Sequence, residues 1–278
     1  MVKVSKLYED RYGQSSKLDF SKMIIPDLLE SIISRASIRK FSDKPISKEL
    51  LTLLLTAAQS APSKSNLQQY SILIMQDKML KLKVGELIGE TKWALSSPVF
   101  LLFLADIRRN MKVTKEKGYE YKNNNVDTFM NAVIDASLSM QSLICAAEAS
   151  GLGVCPISMI RNIIDEIKIL CKLPKGVFPI AGLAIGWPAE KAPVSIRMPQ
   201  SITIHNDYYN EEHLNVKIND YDERVYKIAP ITDKKQRHVN IYGVSEKGTW
   251  SENVARQLSV PERNDFRKWL KSHGFKLE

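Results

Sequence analysis

Pro98 to Ala105 reads PVFLLFLA, an apolar run that no polar or charged side chain interrupts. A continuous run of this length predicts a strand that is buried on both faces of a sheet. Phe178 to Trp187 (FPIAGLAIGW) has the same character, and Tyr70 to Met75 and Val154 to Ile157 predict two shorter strands. About four strands are therefore expected, in a sheet of modest size.

Helical patterns are interspersed with these strands. The longest predicted helix runs from Val126 to Ala149, after asparagines that can cap it and before Gly151, a good residue to end it. Shorter helices are predicted after Pro26 and after Ser47, which is a typical N-cap residue. Since no internal repeat is present, the predicted fold class is α+β, with helices covering the sheet.

The ends of the chain differ from its middle. Residues 1–22 are polar and are expected to form an N-terminal extension. The sequence leaves open whether this extension is ordered or covers the site. Residues 23–278 contain no linker rich in proline, glycine or serine, so they are predicted to form a single domain that includes a C-terminal extension.

The composition is that of a globular protein, with 278 residues, 44% hydrophobic and 26% charged. It excludes a disordered chain, a collagen-like chain and a membrane protein. The net charge is 40 − 31 = +9, but it is dispersed, so no nucleic-acid partner is expected. The longest apolar run is far shorter than the ~20 residues of a membrane helix, so no membrane association is expected.

The reactive residue types are few. Cys145, Cys155 and Cys171 form no CxxC pair and are odd in number, which favours a reducing compartment and a cytoplasmic location. The four histidines have no metal-ligand spacing, so no metal site is predicted. The fingerprints of dinucleotide-binding folds, P-loops and hydrolase nucleophile elbows are also absent from the sequence.

One group of residues has the chemistry of an anion site. Arg35, Ser37 and Arg39 follow the helix that is predicted after Pro26. Two guanidinium groups and a hydroxyl at this spacing can converge on a phosphate. The residues alone also allow the simpler interpretation, in which both arginines make ion pairs on the surface.

The surroundings of this group carry a family resemblance. Residues 34–47 (SRASIRKFSDKPIS) resemble the opening signature of the FMN-dependent nitroreductase family. Four later signatures are matched in the same order, at residues 61–68 (APSKSNLQ), 151–158 (GLGVCPIS), 182–188 (GLAIGWP) and 195–199 (SIRMP). The tail, with Tyr221-Asp-Glu223 and Thr249-Trp-Ser251, resembles the larger, NADPH-preferring branch of oxygen-insensitive nitroreductases and flavin reductases.

The resemblance implies a central mixed sheet covered by helices, in a homodimer with FMN at the interface. It assigns the FMN phosphate and ribityl chain to Arg35, Ser37, Arg39 and Arg197. It assigns the lining of the site, contributed by the other subunit, to Pro62, Ser63, Ser65 and Asn66. It places a turn beside the flavin ring, where a backbone N–H reaches flavin N5, and this turn contains Pro156, Ile157, Ser158 and Met159.

Two positions depart from the family pattern. Ser195 stands where the fifth signature usually has a basic residue, so one phosphate cation is either missing or supplied from elsewhere. The turn at residues 156–159 carries proline, serine and methionine where the larger branch usually has glycines. We expect the second departure to narrow the pocket over the flavin.

The implied reaction is ping-pong reduction of a small-molecule electron acceptor, either a nitroaromatic, a quinone or a flavin, with NADPH or NADH as the electron donor. The flavin does the redox chemistry, so no catalytic side chain is predicted. The candidates for binding the NADPH 2′-phosphate are Lys234, Lys235 and Arg237, unless their loop is merely solvated. Two other functions stay open: a flavin reductase that supplies reduced flavin to a partner, and a non-catalytic flavin- or nucleic-acid-binding protein.

Overall fold

The apolar run at residues 98–105 lies inside the sheet. The computed structural model describes residues 4–278 and has strands β1 (Tyr70–Met75), β2 (Val99–Asp106), β3 (Gly153–Ile157) and β4 (Val177–Gly186). They form one sheet in the order β1-β2-β4-β3. The strand β4 is buried along its whole length, which explains why its sequence does not alternate between apolar and polar residues.

The direction of the strands corrects one expectation. The strand pairs β1–β2, β2–β4 and β3–β4 are all antiparallel, so the sheet within residues 4–278 is not mixed. The α+β class itself is confirmed. Continuous apolar runs carry no information about direction, because any strand that is buried on both faces loses its alternation.

Helices account for most of the remaining regular structure. In chain order, the α-helices within residues 4–278 are α1 (Val4–Tyr12), α2 (Asp27–Ser34), α3 (Lys48–Gln59), α4 (Lys78–Leu87), α5 (Arg108–Glu116), α6 (Val126–Ala149), α7 (Ile164–Leu170), α8 (Gln200–Thr203), α9 (Leu214–Ile228), α10 (Val239–Tyr242), α11 (Trp250–Ser259) and α12 (Phe266–Ser272). Short 3-10 helices occupy Lys64–Asn66, Gly89–Ser96, Ser158–Ile163 and Asp233–Lys235.

The chain divides into two compact units. The first combines the chain up to Ala36 with Pro193–Glu262, and the second combines Ser37–Ala192 with Arg263–Glu278. The predicted division after residue 22 does not coincide with these divisions. Residues 4–12 of the predicted extension form α1, whose Leu7 is buried, and residues 1–3 lie outside the described part of the chain.

The second unit contains the sheet, and a hydrophobic core lies on each face of this sheet. Successive β2 side chains point to opposite faces, as strand geometry requires. Leu101 and Phe103 belong to one core, and Phe100 and Leu102 to the other. The first core includes the buried face of α6, where Ala132 and Ala136 are fully buried. Their small side chains allow the helix to approach the sheet closely.

The helix α6 begins and ends where the sequence predicts. The Asn125 side chain accepts a hydrogen bond from the Thr128 N–H, and Gly151 has a φ of 79° just after the helix. By length and composition alone, α6 is the one helix within residues 4–278 that could cross a membrane. Its packing against the sheet is that of a core helix, a kind of helix that passes the same test.

Candidate functional site

The segment from Ser37 to Arg39 lies beside the edge strand β3. The Ile38 N–H donates to the Val154 carbonyl at 3.0 Å, and the Ile38 side chain is buried. Gly153 allows this approach, because a Cβ at that position would lie 2.6 Å from Ile38 Cγ1. Of the two residues that flank Ile38, Ser37 is half-buried and Arg39 is exposed. The structure therefore brings part of the first signature against the third.

The same segment continues along the end of β4. Phe41 and Pro188 form an isolated antiparallel bridge, and the Ser42 N–H donates to the Trp187 carbonyl at 2.9 Å. The Ala189 N–H donates in turn to the Lys40 carbonyl at 3.0 Å. The fourth signature is thus joined to the first by backbone hydrogen bonds.

The second signature forms a loop that a buried carboxylate holds. Asp135 on α6 is 2% exposed and accepts hydrogen bonds from the Ser63 hydroxyl at 2.7 Å, the Lys64 N–H at 3.1 Å and the Gln69 N–H at 3.0 Å. The Ser63 hydroxyl also accepts from the Gln68 N–H at 2.8 Å. Sequence reasoning missed Asp135, although an acidic residue among the small apolar residues of a helix was the signal for it.

The backbone of this loop is strained. Ser65, Asn66 and Gln68 have φ values of 50°, 55° and 50°, in the left-handed region that non-glycine residues rarely adopt. Such conformations persist only when neighbouring contacts enforce them, and the hydrogen bonds to Asp135 are such contacts. Pro62, at the start of the loop, is exposed, as are Ser65 and Asn66.

The segment from Pro156 to Met159 is the end of an edge strand rather than a simple turn. The strand β3 ends at Ile157, and a 3-10 helix begins at Ser158. The Ile157 side chain is 4% exposed and lies in the second core, so only its backbone can face a ligand. Proline has no N–H, so a backbone donor from this segment has to come from residues 157–159.

Arg35 and Arg197 belong to the first unit, whereas Ser37 and Arg39 belong to the second. Arg35 is the C-cap residue of α2 and is half-buried. Arg197 is exposed, and its backbone N–H donates to the Arg11 carbonyl at 2.8 Å. Sequence reasoning missed Arg11, because its contact with Arg197 spans 186 positions and no local pattern indicates it.

Tyr221 supports the segment that carries Arg197. Its hydroxyl donates to the Ile196 carbonyl at 3.2 Å, and its ring is buried. Burial raises the pKa of the Tyr221 hydroxyl, and the positive charge of Arg197 partly offsets that rise. The next residue, Asp222, is also buried and accepts a hydrogen bond from the Ser251 N–H at 3.0 Å. The two tail motifs therefore meet within the first unit.

The three basic residues proposed for NADPH lie on the surface of the first unit. Lys234, Lys235 and Arg237 are all exposed. Their loop is held by the Arg237 N–H, which donates to Asn253 Oδ1 at 2.7 Å, and by two hydrogen bonds between Gln236 and Ser245. Their assignment to the 2′-phosphate stays a prediction.

The residues present fit a phosphate-bearing flavin. Within residues 4–278, the side chains of Arg39 and Arg197 have no hydrogen-bond or ion-pair partner, and both are exposed. Exposed guanidinium groups are permanently charged, planar donors, and without a protein partner they are suited to bind a phosphate. Cys171 is not suited to act as a thiol nucleophile, since burial raises its pKa to about 11. No group of three or more potential metal ligands occurs in the described residues.

Comparisons with known proteins cover nearly the whole chain. Residues 32–187 match the Nitroreductase family, and residues 196–278 match the Nitroreductase family, C-terminal domain. The chain is 34% identical over 258 residues to an FMN reductase [NAD(P)H] of Bacillus subtilis (strain 168), covering 91% of this chain and 99% of that protein. It is 28% identical over 249 residues to an oxygen-insensitive NADPH nitroreductase of Salmonella typhimurium, covering 89% of this chain and 97% of that protein.

A solved structure of B. megaterium NfrA2 superimposes on the chain with a TM-score of 0.82 at 31% sequence identity. The superposition covers 91% of this chain and all of that structure. Residues 1–31 lie outside both matched family regions.

Proposed function

The chain belongs to the nitroreductase family, and from this premise we propose its reaction and the residues that hold its cofactor. The protein is an FMN-dependent NAD(P)H oxidoreductase that acts on a small-molecule acceptor. When bound, FMN would supply the hydride-transfer chemistry between the reduced nicotinamide and the acceptor. The side chains bind and orient the reactants.

The observation that carries the residue assignment is the pair of exposed guanidinium groups without a protein partner. Arg39 and Arg197 are proposed to bind the FMN phosphate, with Arg35 and Ser37 as further donors to the phosphate and ribityl chain. Charge-assisted hydrogen bonds from arginine are about twice as strong as neutral ones, which suits retention of a dianionic group. The phosphate thus anchors the cofactor while its ring remains available to substrates.

The ring side of the site is proposed to be the end of β3 and the start of the following 3-10 helix. Pro156 and Ser158 are exposed there, and Met159 is half-buried. The backbone N–H of residues 157–159 provides the candidate donors to flavin N5. The rigid sheet behind them fixes the position of these donors before the cofactor binds.

We also propose a homodimer. The exposed residues Val126, Met130, Ile134 and Leu138 recur every four positions, so they form one apolar stripe along α6. The opposite face of α6 is already buried in the core, so the helix is apolar on two faces. A second copy of the chain is the occupant that the family premise indicates for the stripe.

The loop that contains Pro62, Ser63, Ser65 and Asn66 is held by α6, the helix that carries this stripe. Asp135, which holds the loop, directly follows Ile134 of the stripe. A loop in this position is suited to reach across a dimer interface, so we propose that it lines the cofactor of the other subunit.

The acceptor is proposed to be a nitroaromatic, a quinone or a flavin, reduced in a ping-pong reaction. A flavin reductase that supplies reduced flavin to a partner is the second candidate, and the similarity to an FMN reductase [NAD(P)H] favours it. A cytoplasmic location is proposed as well, because no disulfide bond joins the cysteines within the described residues.

The visible absorbance spectrum of the purified protein, recorded before and after anaerobic addition of NADPH, tests the function. Flavin bands that bleach with NADPH or NADH are expected. A protein that lacks these bands and also fails to take up added FMN would contradict the assignment. Flavin bands that persist with both nucleotides would favour the non-catalytic flavin-binding alternative.

A further inference from the structure

We propose that Arg11 is a positioning residue for the phosphate site, because it fixes the backbone on which Arg35 and Arg197 stand. This inference rests on the proposed function. Arg11 belongs to the N-terminal segment that lies outside both matched family regions, which begin at residues 32 and 196. Arg35 and Arg197, which Arg11 is proposed to position, lie inside these regions.

The guanidinium group of Arg11 joins two distant segments. Its Nε and Nη2 donate to the Ile33 carbonyl at 3.1 and 2.6 Å, and Nη2 also donates to the Arg35 carbonyl at 2.8 Å. On the other side, Nη1 donates to the Ser195 carbonyl at 2.8 Å. A guanidinium group has five N–H donors, so these four hydrogen bonds leave at most one for a ligand. Arg11 therefore acts on the site through the backbone.

The backbone of Arg11 adds a contact in the opposite direction. Its carbonyl accepts the Arg197 N–H at 2.8 Å, so one residue contacts the Ser195–Arg197 segment through both its side chain and its main chain. Residues 191–199 form neither helix nor strand. Their conformation consequently depends on contacts of this kind rather than on a regular hydrogen-bond pattern.

The segment that Arg11 contacts around Ile33 is the C-terminus of a helix. The helix α2 ends at Ser34, and its last carbonyl groups have no partner inside the helix. Arg11 satisfies the Ile33 carbonyl and adds positive charge at the negative end of the helix dipole. Arg35 follows immediately, so the direction in which it leaves the helix is set by the same guanidinium group.

The helix that carries Arg11 is itself packed in place. Leu7 is 5% exposed, and the helix ends at Tyr12, just before Gly13, which has a φ of 66°. A Cβ on Gly13 would lie 2.8 Å from Ile228 Cδ1 at the end of α9. The close approach of this turn to α9 holds Arg11 against the segments that it joins.

The test compares two flavins that differ only in the phosphate. We would titrate the full-length protein, freed of flavin, with FMN and with riboflavin, and follow the flavin fluorescence. For Arg11→Ala, the Kd for FMN is expected to rise by about tenfold or more, since charge-assisted hydrogen bonds that place two phosphate donors are lost. The Kd for riboflavin is expected to stay within about twofold of the wild-type value, because riboflavin has no phosphate to be held.

Two further variants complete the design. Arg11→Lys keeps the charge but not the planar fork, so it is expected to show the same FMN-selective weakening, to a smaller degree. Lys6→Ala is the matched control on the same helix, because Lys6 is exposed and forms a surface ion pair with Asp10 at 2.8 Å. It should bind both flavins as the wild type does. If Arg11→Ala does not fold, Arg11→Lys decides the question by the same ratio.

An unchanged FMN Kd in the Arg11 variants would overturn the inference while leaving the proposed function intact. Equal weakening of FMN and riboflavin would overturn it as well, since that result indicates a general structural role. Failure of the wild-type protein to bind FMN would refute the proposed function together with the inference.

Discussion

The carboxylate of Asp135, buried in the middle of the longest helix, accepts the hydroxyl of Ser63 at 2.7 Å. Two backbone N–H groups of the same loop, those of Lys64 and Gln69, also donate to it. One side chain thus links the helix proposed to form the dimer interface with the loop proposed to line the flavin of the other subunit. In this proposal, Asp135 would connect dimerisation with cofactor binding.

We predict that Asp135→Asn destabilises the protein by about 1–3 kcal/mol, because the amide NH2 would face donors that need an acceptor. Urea-induced unfolding measures this change in the free energy of unfolding. The control is Asp127→Asn, an exposed residue on the same helix, for which a smaller change is expected. Equal effects of the two substitutions would contradict the role given to Asp135.

We predict that Gly153→Ala displaces the segment that carries Ser37 and Arg39. The added Cβ would lie 2.6 Å from Ile38 Cγ1, so the expected loss is about 1–3 kcal/mol of stability from overpacking. Adding Ile38→Ala to Gly153→Ala should relieve the contacts with Cγ1 and Cγ2 but not the contact with Ile38 Cβ at 2.7 Å, which alanine keeps. The two changes together are therefore expected to cost somewhat less than their sum.

The matched control for this prediction is Gly85→Ala. Gly85 lies within the helix α4, where the nearest atom to an added Cβ is 3.7 Å away. Alanine has a higher helix propensity than glycine, so this substitution is expected to be neutral or stabilising. If Gly153→Ala behaves like Gly85→Ala in thermal unfolding, the close approach of Ile38 does not constrain the segment.

We predict that Ile134→Glu converts the protein to a monomer, because it places a charge in the apolar stripe of α6. Sedimentation velocity measures the change in mass. Leu82→Glu is the control, since Leu82 is 60% exposed on a different helix and should tolerate the charge. A dimer that survives Ile134→Glu, or that Leu82→Glu disrupts equally, would show that the interface lies elsewhere.

We predict that Lys234→Ala, Lys235→Ala and Arg237→Ala reduce the preference for NADPH over NADH if their loop binds the 2′-phosphate. Loss of one such contact should lower the ratio of kcat/KM for the two donors by about 10- to 150-fold, which corresponds to about 1.5–3 kcal/mol for one hydrogen bond to a charged group. NADH serves as the internal control, because it lacks the 2′-phosphate. An unchanged ratio in all three variants would remove the loop from the site.

The sequence predicts features that depend on local chemistry. The apolar run of β2 and the length of α6, with its Asn125 cap, are found as expected, because burial and capping leave marks within a few residues. The strand directions are not encoded in such runs. The helix α1 is missed because its sequence is polar and Leu7 is its one buried residue.

The parts of the site that sequence reasoning misses are its long-range supports. Asp135 acts on residues 66 to 72 positions away, and Arg11 on residues up to 186 positions away. The residues assigned to FMN can be found from the sequence, because they lie within short motifs. The residues that hold them in place become visible only when the fold brings distant segments into contact.

The affinity for FMN relative to riboflavin, measured for the wild type, Arg39→Ala and Arg197→Ala, tests the phosphate assignment most directly. The wild type is expected to bind FMN at least about 100-fold more tightly than riboflavin, which corresponds to about 2.7 kcal/mol. Each substitution should remove about tenfold or more of this difference while leaving riboflavin binding unchanged. Folded variants that both retain the wild-type affinity for FMN would contradict the assignment.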